Sequence, residues 1–77
     1  MPMTKLYKHK TRVGTFYIAE HAGKFHPLFE DESLGGYTTA QQAVDNLAGG
    51  HTFTAGDGSF ETDELGIPDD LSEWNPI

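Results

Sequence analysis

Two short runs of β-forming residues, 12–20 and 25–30, stand on either side of His21-Ala22-Gly23-Lys24. This pairing constrains the chain more than any other feature. Val13, Thr15, Phe16, Tyr17 and Ile18 favour a strand, and a loop of two or four residues around Ala22-Gly23 returns the chain antiparallel to itself. Either loop length opposes Glu20 to Phe25, Ile18 to Pro27 and Phe16 to Phe29. Side chains alternate along a strand, so Phe16, Ile18, Phe25, Pro27 and Phe29 share the core face. Thr15, Tyr17, Ala19, His26, Leu28 and Glu30 share the other. Pro27 has no N–H, which predicts an unpaired or bulged position in the second strand.

Beyond a polar turn at Asp31-Glu32-Ser33, residues 34–37 read as a short third strand broken by Gly35-Gly36. A helix follows. Ala40, Ala43, Val44 and Leu47 fall at i, i+3, i+4 and i+7, one apolar stripe of small residues that can lie close on the aromatic hairpin face. Thr38 or Thr39 is the expected N-cap, with Gln41 or Gln42 three residues on, and Gly49-Gly50 the left-handed C-cap. Residues 51–54 and 59–62 flank Ala55-Gly56-Asp57-Gly58 as a second hairpin anchored by Phe53 and Phe60. From Asp63 the chain is acidic, with one helical turn before Trp74 capped by Asp69 or Asp70. The predicted class is α+β: an antiparallel sheet of three to five strands, one amphipathic helix on one face and an acidic C-terminal tail. It forms a single domain, with residues 1–10 a partly ordered basic arm pinned by Leu6 and Tyr7, 12–50 the sheet and helix, and 51–77 the second hairpin and tail.

With 77 residues there is little core from which to carve an active-site cleft. The chain has no cysteine, which excludes a disulfide, a thiolate zinc site and a cysteine nucleophile. No apolar run is long enough to span a membrane. Residues 1–12 are basic without the apolar stretch of a signal peptide, so a cytoplasmic protein of bacterial type is expected.

Charge is unevenly distributed. The five basic residues, Lys5, Lys8, Lys10, Arg12 and Lys24, all fall in the first 24 positions with one acid, while eleven acids follow. Such asymmetry marks a basic arm for nucleic acid, a basic partner for the acidic half, or self-complementarity between the two ends. A calcium loop beginning at Asp57 would need glycine at Thr62 and glutamate at Pro68, and both fail. His21 and His26 lie near each other across the hairpin, but the register sets Lys24 between them, which repels a cation. Ser33, Ser59 and Ser72 sit in no nucleophile motif, and acids surround Gly56-Asp57-Gly58 where a phosphate loop would need the opposite. No catalytic residue, metal ligand or cofactor is assigned.

The unit from Arg12 to Gly49 resembles the strand-strand-strand-helix domains at the amino termini of some tyrosine recombinases, which lay the sheet into a DNA groove. The likeness rests on Phe16, Ile18, the turn at Gly23, and Gly36-Tyr37-Thr38-Thr39 leading into Ala40 and Ala43. It implies a sheet face lined with Lys and Arg. Here that face carries His26, Glu30, Tyr17 and Leu28, so only Lys5, Lys8, Lys10 and Arg12 of the arm are expected to touch nucleic acid, and weakly. A closer likeness is to small uncharacterised bacterial proteins. It is carried by Gly14-Thr15-Phe16-Tyr17-Ile18, Leu34-Gly35-Gly36-Tyr37 and residues 65–74, and it implies a fold without an activity.

The helix covers one side of the hairpin, leaving Tyr17, Leu28 and Val13 to be covered by the tail or by a partner. Leu65, Ile67, Leu71 and Trp74 are the tail's candidates, and Trp74 is expected to fold back over Tyr17 and Leu28. The expected function is therefore a non-catalytic binding or adaptor protein that engages a protein partner through Tyr17, His26, Leu28, Leu71 and Trp74. A nucleic-acid accessory protein using the basic arm is one alternative, and an acidic mimic blocking a DNA-binding protein is another. A monomer, or a homodimer joined at an open sheet edge, is expected.

Overall fold

The computed structural model, which describes residues 3–52 and 62–77, carries the hairpin in the register that alternation predicts: Glu20 opposes Phe25, Ile18 opposes Pro27 and Phe16 opposes Phe29. Its strands are β2 (Gly14–His21) and β3 (Lys24–Phe29). The loop is the two residues Ala22 and Gly23, at φ 54° and 80°. Two successive positive φ values are the type I′ pattern, whose twist matches the right-handed twist of the strands. Pro27 causes no bulge. Its carbonyl accepts from the Leu34 N–H at 2.8 Å. The nitrogen and oxygen of a strand residue point to the same side, so the missing N–H faces away from β2 and no ladder bond is lost.

Residues 4–10, expected within a partly ordered arm that Leu6 and Tyr7 pin to a sheet edge, belong throughout to a strand. β1 (Thr4–Thr11) pairs antiparallel with β2 from Thr4–Glu20 to Thr11–Gly14. Its pattern escapes periodicity because the residues facing the core, Tyr7 and His9, are amphipathic rather than aliphatic. The third strand is also displaced. Glu30 adopts φ 55°, and the chain returns at once as β4 (Glu32–Ser33), opposite Phe29 and Leu28. Leu34 lies just past β4, keeps its N–H bond to Pro27 O and is fully buried, while Tyr37 meets the sheet in a single bridge to Phe25. A last short strand, β5 (Asn75–Pro76), pairs with β1 at Lys8 and Tyr7. The order is β4-β3-β2-β1-β5, antiparallel throughout.

Helix α1 (Ala40–Ala48) is capped at both ends by residues of the predicted type. Thr39 Oγ1 accepts from the Gln42 N–H at 3.0 Å, and Gln42 Oε1 accepts from the Thr38 N–H and hydroxyl. At the other end Gly50, at φ 75°, is the left-handed residue. The His51 N–H donates to Asn46 O and the Gly50 N–H to Leu47 O, the paired bonds of a Schellman motif. The buried stripe is Ala43, Val44 and Leu47.

The helix lies over β3 and β2 and leaves the β1 side of that face bare. The tail fills it. Two 3-10 turns, Thr62–Glu64 and Leu71–Glu73, pack against α1. Ile67 and Trp74 complete a buried cluster with Phe16, Ile18, Leu34 and the helix stripe. Trp74 is 3% exposed, donates its indole N–H to Pro68 O at 3.0 Å, and packs 5.5 Å from the His9 ring. It is a clasp, but on the helix side of the sheet and not over Tyr17 and Leu28. The nine-residue helix cannot cover five strands, so the uncovered apolar area that attracts Trp74 is beside the helix. The second hairpin expected at 51–62, with Phe53 and Phe60, lies outside the described residues apart from its ends.

Candidate functional site

The face of the sheet turned away from the helix is built by register. Lys8 opposes Tyr17 and Lys10 opposes Thr15, so β1 sends both lysines to the side of Tyr17. Strict alternation would send Lys5 to the other side. A β-bulge between Lys5 and Tyr7 inserts one extra residue, and Lys5 then opposes Ala19 on the same face as Lys8 and Lys10. On β3, Lys24 shares this face with His26 and Leu28, opposite His21. Four of the five basic residues thus stand on one surface. Arg12, grouped with the lysines by sequence, does not join them: it reaches Glu64 O in the helix layer at 3.5 Å.

No described helix or strand covers this face, yet two of its apolar residues are buried: Ala19 at 0% and Leu28 at 3% exposure. Neighbouring long side chains cover them. The Lys5 Nζ lies 4.3 Å above the centre of the Tyr17 ring and 3.1 Å from Asp31 Oδ1, so its stem crosses the surface between them. Met3, Lys5 and Asp31 surround Leu28 in an open hollow of about 430 Å³. His26 is held as well. Its Nδ1 lies 2.7 Å from Gly35 O, an atom that only accepts, so Nδ1 carries the proton. The His26 ring also packs where a side chain on Gly36 would stand, 3.1 Å away.

The expected apolar docking patch is therefore dispersed. Tyr17, His26 and Leu28 lie on the open face, capped, bonded and buried respectively. Leu71 and Trp74 belong to the core on the opposite side. The sheet edges expected to join a homodimer carry β4 at one end and β5 at the other, with Ile77 N–H bonded to Leu6 O. Among the described residues no three His, Asp or Glu side chains gather as metal ligands, and no helix is long and apolar enough to cross a membrane.

Acidic residues collect in the other layer. Asp45 is on α1, and Asp63, Glu64, Asp69, Asp70 and Glu73 are in or beside the two 3-10 turns. Asp70 caps the second turn, its Oδ1 accepting from the Ser72 N–H at 3.0 Å. That backbone bond, with a second from the Ser72 side chain, holds its carboxyl below the usual aspartate range. On the lysine face the described carboxylates are Asp31, paired with Lys5, and Glu30 at the β3 end, bonded to the Thr15 N–H at 2.7 Å. The predicted hairpin register already sets Lys24 on the face of His21 and His26, but the sequence does not group it with the lysines of β1.

No protein-family model, curated protein or solved structure matches the chain.

Proposed function

We propose that the chain is a non-catalytic accessory protein that holds nucleic-acid backbone against the open face of its sheet. One observation carries this: Lys5, Lys8, Lys10 and Lys24 share that face. Phosphate neutralisation by lysine, with release of counterions, supplies most of the affinity of such contacts. The net charge of −7 does not oppose it decisively. The molecule measures 30 × 25 × 19 Å, and charges farther apart than about 8 Å are largely screened at physiological salt. The acids of the helix layer stand behind the sheet, and the lysines meet a ligand first. A cytoplasmic location is part of the proposal, being where a bacterial protein encounters nucleic acid.

Anisotropy titration of labelled duplex DNA tests it. Affinity should fall in the non-specific range, roughly 10⁻⁴ to 10⁻⁶ M at physiological salt, and weaken steeply between about 50 and about 200 mM. The combined variant Lys8→Glu, Lys10→Glu and Lys24→Glu should abolish binding, while Arg12→Glu should leave it nearly unchanged. No binding at the lower salt, or binding indifferent to the triple variant, overturns the proposal. A protein partner is the second reading, favoured by the Leu28-floored hollow, which suits one inserted side chain. An apolar contact of that kind would persist as salt rises.

A further inference from the structure

We infer that the lysine face holds double-stranded nucleic acid by its backbone alone, preferring duplex to single strand and one sequence no more than another. This rests on the function proposed above. Single strands are gripped mainly by stacking bases on aromatic rings. Among the described residues, Tyr17 is the one Phe, Tyr or Trp on the open face, and its ring is already occupied. Lys5 Nζ stands 4.3 Å over the ring and is tethered there by Asp31 at 3.1 Å. The rings of Phe16, Phe25, Phe29, Tyr37 and Trp74 belong to the helix side. His26 is committed to Gly35 O and packed on Gly36.

The groups left to act are Lys8, Lys10 and Lys24, all exposed. A lysine ammonium is a flexible, strongly hydrated point charge that suits phosphate oxygen and lacks the rigid planar fork with which arginine fixes its contacts. Their layout matters too. Lys8 and Lys10 are neighbours on one face of β1. Lys24 lies two strands away and four residues along, about 16 Å from Lys8 by strand rise and spacing. Two separate stretches of backbone are thus engaged together. A duplex holds such stretches at a fixed separation, whereas a single strand must be ordered to present them.

Parallel titrations of the full chain with one duplex, one strand of that duplex and a duplex of unrelated sequence test this. The duplex should bind several-fold tighter than its strand, and the two duplexes should agree within about twofold. Three phosphate contacts predict a slope of log affinity against log salt of about −2.7, falling by about 0.9 for each of Lys8→Gln, Lys10→Gln and Lys24→Gln. Lys5→Ala uncovers Tyr17 and should narrow the preference for duplex by strengthening single-strand binding. Single strand bound as tightly as duplex by the unaltered protein, or tenfold discrimination between the duplexes, overturns the inference while leaving the function standing. Failure to bind any nucleic acid overturns both.

Discussion

Ala22 is one of two non-glycine residues at positive φ among the described residues, and it occupies the turn that sets the hairpin register. An L-residue there is strained, because Cβ crowds the following carbonyl, and Asn tolerates the geometry better. Ala22→Asn is expected to raise stability by up to about 1 kcal/mol, seen as a melting temperature higher by roughly 4–8 °C per kcal/mol in a domain of this size. A lower melting temperature would mean that the turn is not type I′. Glu30, the other such residue, offsets its conformation with the carboxylate bond to the Thr15 N–H. In the core, Phe16 is fully buried and packs 5.0 Å from the Phe29 ring. Phe16→Ala should cost about 3–5 kcal/mol, most of what a domain this small holds, and a nearly unchanged melt would contradict the packing described.

Among the elements, the tail from Ile67 to Ile77 is the least regular and has a defined task. Trp74 closes the core over the part of the sheet that the helix leaves bare. Its emission should be blue-shifted and poorly quenched by iodide in the unaltered protein, and Trp74→Ala should cost about 3–5 kcal/mol. Water-like emission with ready quenching would contradict the clasp. The turn leading into it hangs on Asp70. A carboxyl whose folded pKa is depressed contributes stability that is present above its unfolded value and lost as pH falls through the folded one. Acidification below about pH 4 should therefore loosen the tail, read as a red shift of Trp74 emission. Asp70→Asn keeps a capping oxygen without a titrating group, and should weaken that dependence. An identical acid transition in the variant would assign it elsewhere.

At the scale of the whole molecule, the sheet separates two charged layers. Lysines lie on its open face and six carboxylates lie in the helix and turns behind it. The polarity along the chain, basic early and acidic late, becomes polarity through its thickness. Self-complementarity between the two ends is among the readings the sequence asymmetry offers, and β1 does lie beside the C-terminal β5. Across the thickness, the asymmetry is the difference between the open face of β1 and β3 and the layer packed on the reverse. Reversing Lys8, Lys10 or Lys24, all exposed, should alter nucleic-acid binding while changing stability by no more than the roughly 0.5 kcal/mol typical of a surface substitution, read from the melting temperature. A large loss of stability would mean that these side chains maintain the sheet.

Local rules were enough where a few neighbouring residues decide the outcome. The hairpin register followed from alternation and the Ala22-Gly23 turn. The helix followed from its stripe, Thr39 and Gly50, and the core face from the positions of Phe16 and Ile18. Those terms act within a few residues, and the sequence alone states them. What stayed hidden depended on partners distant in sequence. β1 has no apolar period, and it is a strand because β2 offers it a ladder. Lys5 joins Lys8 and Lys10 only because a bulge shifts parity by one, and Lys24 meets them only once β3 lies two strands away. Trp74 was legible as a clasp but not the side it closes, because that depends on how much of the sheet a nine-residue helix leaves uncovered. Burial acts on the whole surface at once and has no local signature, so the face on which the charges gather was decided by the tertiary structure.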